Sequence, residues 1–163
     1  MITRPQRLLV ALLAGALGLP ACKGERPAGP PSPAARERPT VDATSAESLY
    51  LAGQQEFLAG DFDRAAEHLR ASLRLEPSAR GWQALGDVLM SQARFSDAAD
   101  AFREAVKLEP GKWLSWTRLG RCLLSAGRAS EAAEAFRSAR ELRPNDARVL
   151  RDEAEALIAA GRE

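Results

Sequence analysis

Cysteine and histidine are scarce in this chain, which has two cysteines and one histidine among its 163 residues. A structural metal site needs about four such ligands close together, and a disulfide scaffold needs many more cysteines. A catalytic cysteine or histidine would need a base or an orienting group beside it, and no motif supplies one. We therefore expect no metal, no cofactor, a surface position for His68 and an inert, buried or half-buried thiol at Cys122.

The chain also lacks an excess of either charge and lacks strand-forming segments. Its 23 basic and 22 acidic residues nearly balance, which argues against binding to nucleic acid. Alanine, leucine, arginine and glutamate dominate, which is a helical composition. No glycine-rich loop follows a strand, and the carboxylates lie on polar helix faces, so no phosphate-binding or acid–base site is indicated. We predict that the protein is not an enzyme.

No hydrophobic run is long enough to cross a membrane. The longest, LLVALLAGALGL at residues 8–19, has 12 residues, whereas a spanning helix needs about 20. It follows Arg4 and Arg7 in the order expected of a cleaved export signal. The run leads into the tetrapeptide LPAC at 19–22, which resembles the lipobox of bacterial lipoproteins, although proline is unusual at its second position.

The lipobox resemblance implies a signal peptide over residues 1–21 and a lipid anchor on Cys22. In Gram-negative lipoproteins an aspartate after the cysteine retains the protein in the inner membrane, and this chain has Lys23 there. The resemblance therefore favours the outer membrane, facing the periplasm. Residues 23–45 contain five prolines and no large apolar residue except Val41. We predict that 22–45 is a lipidated cysteine followed by a proline-rich disordered tether.

The rest of the chain repeats itself every 33 or 34 residues. Apolar residues recur at helical spacing in two segments of each repeat, which predicts a pair of helices. Ser96 is expected to cap the second helix of the middle pair, with Asp97 in its first turn, and Gly86 is expected to face Ala98. Left-handed residues are expected between helices at Gly60 and Gly127, with Ala93 in the middle repeat. The recurring positions are Gly53, Gly86 and Gly120; Ala65, Ala98 and Ala132; Leu69, Phe102 and Phe136; and Pro77, Pro110 and Pro144.

These residues at these offsets, with Trp82 and Trp116, resemble the tetratricopeptide repeat (TPR) family. The resemblance implies an all-α fold, a right-handed α-solenoid of three helix–turn–helix hairpins at 46–78, 79–112 and 113–146. A capping helix is expected at 147–163. Its predicted apolar stripe consists of Leu150, Ala154, Leu157 and Ile158.

In the TPR family the first helices of the repeats line a concave groove that binds partner peptides or helices. The two resemblances together imply a protein partner of unknown identity and a non-catalytic scaffold or adaptor anchored to the membrane through Cys22. Small lipoproteins of this kind resemble assembly factors for pili, secretion or outer-membrane complexes. The alternatives are a regulator of an enzyme or a glycan-associated factor in cell-wall maintenance, or a secreted soluble TPR domain. The implied groove residues are Tyr50, Gln54, Arg80, Gln83, Asp87, Thr117, Arg121 and Arg151.

Overall fold

The computed structural model describes residues 45–161, and this part of the chain consists of α-helices and the turns between them. The all-α prediction is confirmed. None of the helices within 45–161 has the length and apolar character needed to cross a membrane. The predicted signal peptide, Cys22 and the tether up to residue 44 lie outside the described residues. The helices are α1 (Ala46–Ala59), α2 (Phe62–Leu75), α3 (Ala79–Ser91), α4 (Phe95–Leu108), α5 (Trp113–Ser125), α6 (Ala129–Leu142) and α7 (Ala147–Ala159).

The helices form three hairpins followed by α7, and each helix packs on the next one along the chain. We call α1, α3, α5 and α7 the first helices, and α2, α4 and α6 the second helices. The core lies between them, and its largest fully buried side chains include Phe102, Phe136 and Leu69. All three come from second helices, so each second helix supplies the body that fills its own hairpin.

Glycines let the two helices of each hairpin approach closely. A Cβ atom added to Gly86 would lie 2.7 Å from Cζ of Phe102, and one added to Gly120 would lie 2.8 Å from Phe136. Both distances are too short for a real Cβ contact. The nearest side chain to Gly86 is therefore Phe102 and not Ala98, which we expected, because the aromatic ring reaches further across the hairpin than an alanine methyl group.

The turns inside the hairpins use left-handed backbone. Gly60 and Gly127 have φ angles of 82° and 76°, as predicted. Ala93 takes the equivalent position in the middle hairpin with a φ of 57°, and it is the one non-glycine residue with positive φ among the described residues. The turn then closes with a hydrogen bond of 2.9 Å from the N–H of Arg94 to the carbonyl of Leu89.

Because this hydrogen bond closes the turn at Arg94, α4 starts earlier in the chain than predicted. The helix begins at Phe95, so the prediction that Ser96 caps it is wrong. Arg94 takes the N-cap position without a side-chain hydrogen bond to the helix, and its Nε instead donates to Asp97 Oδ2 at 2.7 Å. Asp97 lies in the first turn as predicted. Side chains do cap α1, α2, α3 and α7, through Ser45, Asp61, Ser78 and Asp146.

The apolar stripe predicted for α7 is not its buried side. Its buried residues are Val149, Glu153 and Ala156, which pack toward α6. Leu150 and Ile158, two members of the predicted apolar stripe, have 43% and 70% of their surface exposed. Periodicity identified the helix correctly, but the more apolar of its two faces points away from the hairpins.

Candidate functional site

The eight predicted groove residues all lie on first helices. Each first helix presents them at spacings of three or four residues, which places them on one side of that helix. Two cavities open along this surface, one beside α1, α3 and α5 and one between α5 and α7. We call this surface the first-helix groove. Its predicted members are Tyr50 and Gln54 on α1, Arg80, Gln83 and Asp87 on α3, Thr117 and Arg121 on α5, and Arg151 on α7.

At the α1 end of the groove, the polar groups bind one another. Arg80 of α3 forms an ion pair with Glu47 of α1. The guanidinium carbon of Arg80 lies 4.9 Å from the centroid of the Tyr50 ring, within the range of a cation–π contact. Gln54 Nε2 donates to the Tyr50 hydroxyl at 2.8 Å. These contacts hold α1 beside α3.

In the middle of the groove, two polar contacts join α3 to α5. Gln83 Nε2 donates to the hydroxyl of Ser115 at 3.0 Å, and Asp87 forms an ion pair with Arg118. Burial raises the pKa of the Asp87 carboxyl above its usual value, although the charge and hydrogen bond of Arg118 oppose this shift. The sequence analysis missed Arg118 and Ser115. Their polar side chains on a first helix were the available signal.

At the far end, α5 and α7 enclose a pocket of about 440 Å³. Arg121 is exposed there, and it makes no ion pair with any residue of the described part of the chain. Thr117 is buried, and its hydroxyl donates to the carbonyl of Trp113 at 3.1 Å. Arg151 pairs with Asp152 at 3.1 Å. The pocket is lined by Trp113, Leu114, Thr117, Arg121, Leu124 and Ser125 of α5, Phe136 of α6, and Arg148, Arg151, Asp152 and Glu155 of α7.

One wall of this pocket is aromatic. The guanidinium carbons of Arg143 and Arg148 lie 5.3 and 5.9 Å from the centroid of the Trp113 ring. Arg148 also pairs with Asp146 at 3.3 Å. The pocket therefore combines an apolar floor with several guanidinium groups, and the carboxylates of Asp152 and Glu155 offset part of that positive charge.

Within residues 45–161, the one cysteine and the one histidine do not line the pocket between α5 and α7. Cys122 is completely buried, and burial, together with the charge of Asp87, raises its pKa to about 12, so the thiol stays protonated at neutral pH. This confirms an inert, buried thiol. His68 is half-buried, and its Nδ1 lies 2.6 Å from Glu56 Oε2, which also accepts Arg64 at 3.2 Å through its second oxygen.

The sequence analysis missed the partner of His68 because Glu56 is on the facing helix, twelve residues earlier in the chain. Such a pair ties α1 to α2 across the first hairpin. Among residues 45–161, no group of three histidine, cysteine or acidic side chains is arranged to hold a metal ion. In the described residues, a guanidinium group and apolar side chains line one pocket, between α5 and α7.

Comparisons with known proteins agree with the repeat pattern. The tetratricopeptide repeat model matches residues 50–90 and 84–147. The structure of MamA from AMB-1 is 28% identical with a TM-score of 0.68, over 75% of this chain and 67% of that one. The first TPR domain of Spaghetti (RPAP3), bound to the HSP90 peptide SRMEEVD, is 20% identical with a TM-score of 0.65, over 74% and 97%.

A third similar structure is the type III secretion chaperone SycD of Yersinia enterocolitica in complex with a peptide of the translocator YopD. It is 19% identical with a TM-score of 0.62, over 69% of this chain and 92% of that one. A search of curated proteins returned no match. Because the family model covers residues 50–147, more than half of the chain, the protein belongs to the tetratricopeptide repeat family.

Proposed function

We propose that this protein is a non-catalytic adaptor that binds a segment of a partner protein in the first-helix groove. TPR proteins are generally non-catalytic modules of protein interaction. Two of the similar structures, those of RPAP3 and SycD, contain a bound peptide, which supports the same use of the fold here. The partner we expect is a peptide or helix of another protein, held without covalent chemistry.

This proposal rests on a difference along the groove in how many polar side chains already have partners within the protein. Toward α1 and in the middle, Arg80, Gln83 and Asp87 already bind side chains of neighbouring first helices. A ligand there would have to replace existing contacts at little net gain. In the pocket between α5 and α7, Arg121 is exposed and makes no ion pair within residues 45–161. We therefore assign the principal binding contacts to this pocket.

The chemistry of the pocket defines the partner segment. Arg121 would bind a carboxylate or a backbone carbonyl, and guanidinium groups are well suited to both because their donors are fixed in a plane. Leu114 and Leu124 would contact an apolar side chain next to that acceptor. Arginine and aromatic residues are also the side chains that most often dominate binding energy at interfaces.

We further propose that the groove is held near a bacterial membrane by lipid on Cys22. The LPAC sequence at 19–22 supports this, and so does the 12-residue apolar run before it. Several acyl chains on one residue give stable attachment, whereas a single chain binds only marginally. The position of Lys23 favours the outer membrane, and the adaptor would then serve assembly of an envelope complex such as a pilus, a secretion channel or an outer-membrane protein.

The test is affinity capture from detergent-solubilised membranes of the source cells. We expect the wild-type protein to retain a partner that Arg121→Glu loses by at least about tenfold. Arg137→Glu is the matched control, because it makes the same charge change at an exposed position of α6, away from the pocket. Equal retention by both variants would show that the groove assignment is wrong.

Two further arms address the anchor and the alternative functions. Cys22→Ser should move the protein from the membrane to the soluble fraction and lower its intact mass by the acyl groups. An unchanged distribution and mass would identify a secreted soluble TPR domain. If wild type retains no protein but co-sediments with isolated peptidoglycan, the glycan-associated alternative replaces the adaptor.

A further inference from the structure

One side of α7 carries an apolar stripe that is exposed in the described part of the chain except at Leu157, which packs against the core. We call it the α7 stripe and define it as Ala147, Leu150, Ala154, Leu157 and Ile158. Ala147 and Ala154 are exposed, Leu157 is half-buried, and Leu150 and Ile158 are 43% and 70% exposed. Along the surface of α7, the stripe adjoins the side that carries Val149 and Ala156, which pack toward α6.

The α7 stripe is equivalent to the inner face of the other first helices. Ala154 follows Gly120 by 34 residues, as Gly120 follows Gly86, and Leu150 follows Trp116 by the same interval. In each complete hairpin this face is covered by a second helix. There the large side chain of each second helix packs against the glycine of its first helix: Leu69 on Gly53, Phe102 on Gly86 and Phe136 on Gly120. The α7 stripe thus continues an interface that the molecule has already formed three times.

We propose that the α7 stripe binds one amphipathic helix of a partner protein, in the position that α2, α4 and α6 occupy on their first helices. The length of that helix would be about that of α2, α4 and α6, which have 14 residues each. Like them, it would carry a small residue followed four positions later by a large apolar one. This site is separate from the first-helix groove and does not depend on it.

The methyl group of Ala154 affects how closely the docked helix can approach α7. A Cβ atom at Gly86 or Gly120 would lie within 3 Å of a phenylalanine ring, so a helix with phenylalanine could not approach α7 as closely. A Cβ atom at Gly53 would likewise lie 2.7 Å from Cγ of Leu69, so a helix with leucine at this position must also dock further from α7 than α2 lies from α1.

A second copy of the chain does not offer such a helix. Its own second helices are committed to their hairpins, since Leu69, Phe102 and Phe136 are at most 1% exposed. Freeing one of them would expose the core of that copy, and the free energy lost would be much larger than the free energy gained by covering the α7 stripe. We assign the occupant to a different protein, and self-association is an outcome that would contradict the proposal.

The experiment uses the full-length protein and a labelled peptide of residues 62–75, which has the sequence of α2 and serves as a model of the partner helix. We expect saturable binding, measured by fluorescence anisotropy, with a dissociation constant below about 1 mM. Ala154→Glu and Ile158→Glu should each weaken it by about tenfold, because a carboxylate would be buried without a partner. A peptide carrying Leu69→Glu should not bind.

Controls separate this site from the groove and from a general effect of charge. Leu58→Glu changes an aliphatic residue that is 85% exposed at the end of α1, and it should bind the peptide as wild type does. Arg121→Glu should also bind it normally, so loss of the adaptor function and loss of the stripe are distinguishable. Absence of peptide binding to wild type, or equal binding by Ile158→Glu, overturns the proposal. So does self-association in sedimentation that Ile158→Glu abolishes.

Discussion

Ala93 takes a backbone conformation that the other two hairpins give to glycine. Its φ of 57° resembles those of Gly60 and Gly127, at 82° and 76°. For a residue with a Cβ atom, left-handed backbone costs about 1–2 kcal/mol, because the Cβ crowds the following carbonyl oxygen. The middle hairpin therefore stores strain in its turn that the first and third do not.

Replacing Ala93 by glycine should relieve that strain. Part of the gain is offset because glycine loses more conformational entropy on folding, so we expect a net stabilisation of about 0.5–1 kcal/mol. The measurement is the midpoint of urea unfolding, with an unchanged denaturant slope. Gly127→Ala is the reciprocal variant and should lower the midpoint. A lower midpoint for Ala93→Gly would mean that the turn carries no strain.

At single positions the sequence predicted conformation better than it predicted contacts. The left-handed turn residues follow from local rules, because glycine at the end of a helix has few other uses. The ion pair of Asp87 with Arg118 and the contact of His68 with Glu56 join residues on different helices. Their partners depend on how far neighbouring helices are shifted along one another, which no local pattern specifies.

At the scale of the helix, α7 shows how a charged residue can be buried in place of an apolar one. Glu153 occupies the position of Leu85 and Leu119, 34 residues apart in succession. Its carboxylate forms an ion pair with Arg140 of α6, with Nε and Oε2 2.9 Å apart, and only 11% of the side chain is exposed. A single polar contact with α6 therefore replaces the leucine packing of the preceding hairpins.

Substitutions of Glu153 should separate packing from charge. Glu153→Ala should destabilise the protein by about 1–2 kcal/mol, less than for a fully buried pair because 44% of Arg140 is exposed. Glu153→Leu should match or exceed wild-type stability, since it restores the side chain found at the two equivalent positions. The measurement is chemical unfolding together with amide hydrogen exchange in α7. If the Glu153→Leu variant were less stable than the Glu153→Ala variant, the position would require the ion pair itself.

The misassigned face of α7 has the same physical origin. Leu150, Ala154, Leu157 and Ile158 form a more apolar stripe than Val149, Glu153 and Ala156, so periodicity alone selects the wrong side. The connection from α6 determines which side of α7 is packed against the hairpins. The ion pair with Arg140 allows the Glu153 carboxylate to be buried on that side. Helix existence is thus a property of the local sequence, whereas helix orientation is a property of the neighbours.

At the scale of the whole molecule, stability depends on contacts between successive helices, because a solenoid has no single central core. The described hairpins share this arrangement, and α3 and α4 are joined to neighbours on both sides. Damage to the middle hairpin should therefore spread to the third one. Cys122, completely buried on α5, can report that spread because its thiol is unreactive while the fold is intact.

The test is Gly86→Leu in a background with Cys22→Ser, which leaves Cys122 as the one thiol of the chain. A leucine would collide with the Phe102 ring, since even a Cβ atom would approach it to 2.7 Å, and we expect a loss of about 3 kcal/mol or more. Alkylation of Cys122 should then accelerate by on the order of 100-fold, if hairpins two and three open together.

The matched control is Gly111→Leu, at a loop glycine where a Cβ atom would meet no other atom within 4 Å. It makes the same chemical change without a collision, so Cys122 should stay as slow to react as in the parent. Slow alkylation in Gly86→Leu, despite loss of helix content, would mean that the third hairpin remains folded without the second. The coupling between neighbouring hairpins would then be weak. In that case α5 and α6 would fold as an independent unit, and α5 would still form its wall of the pocket.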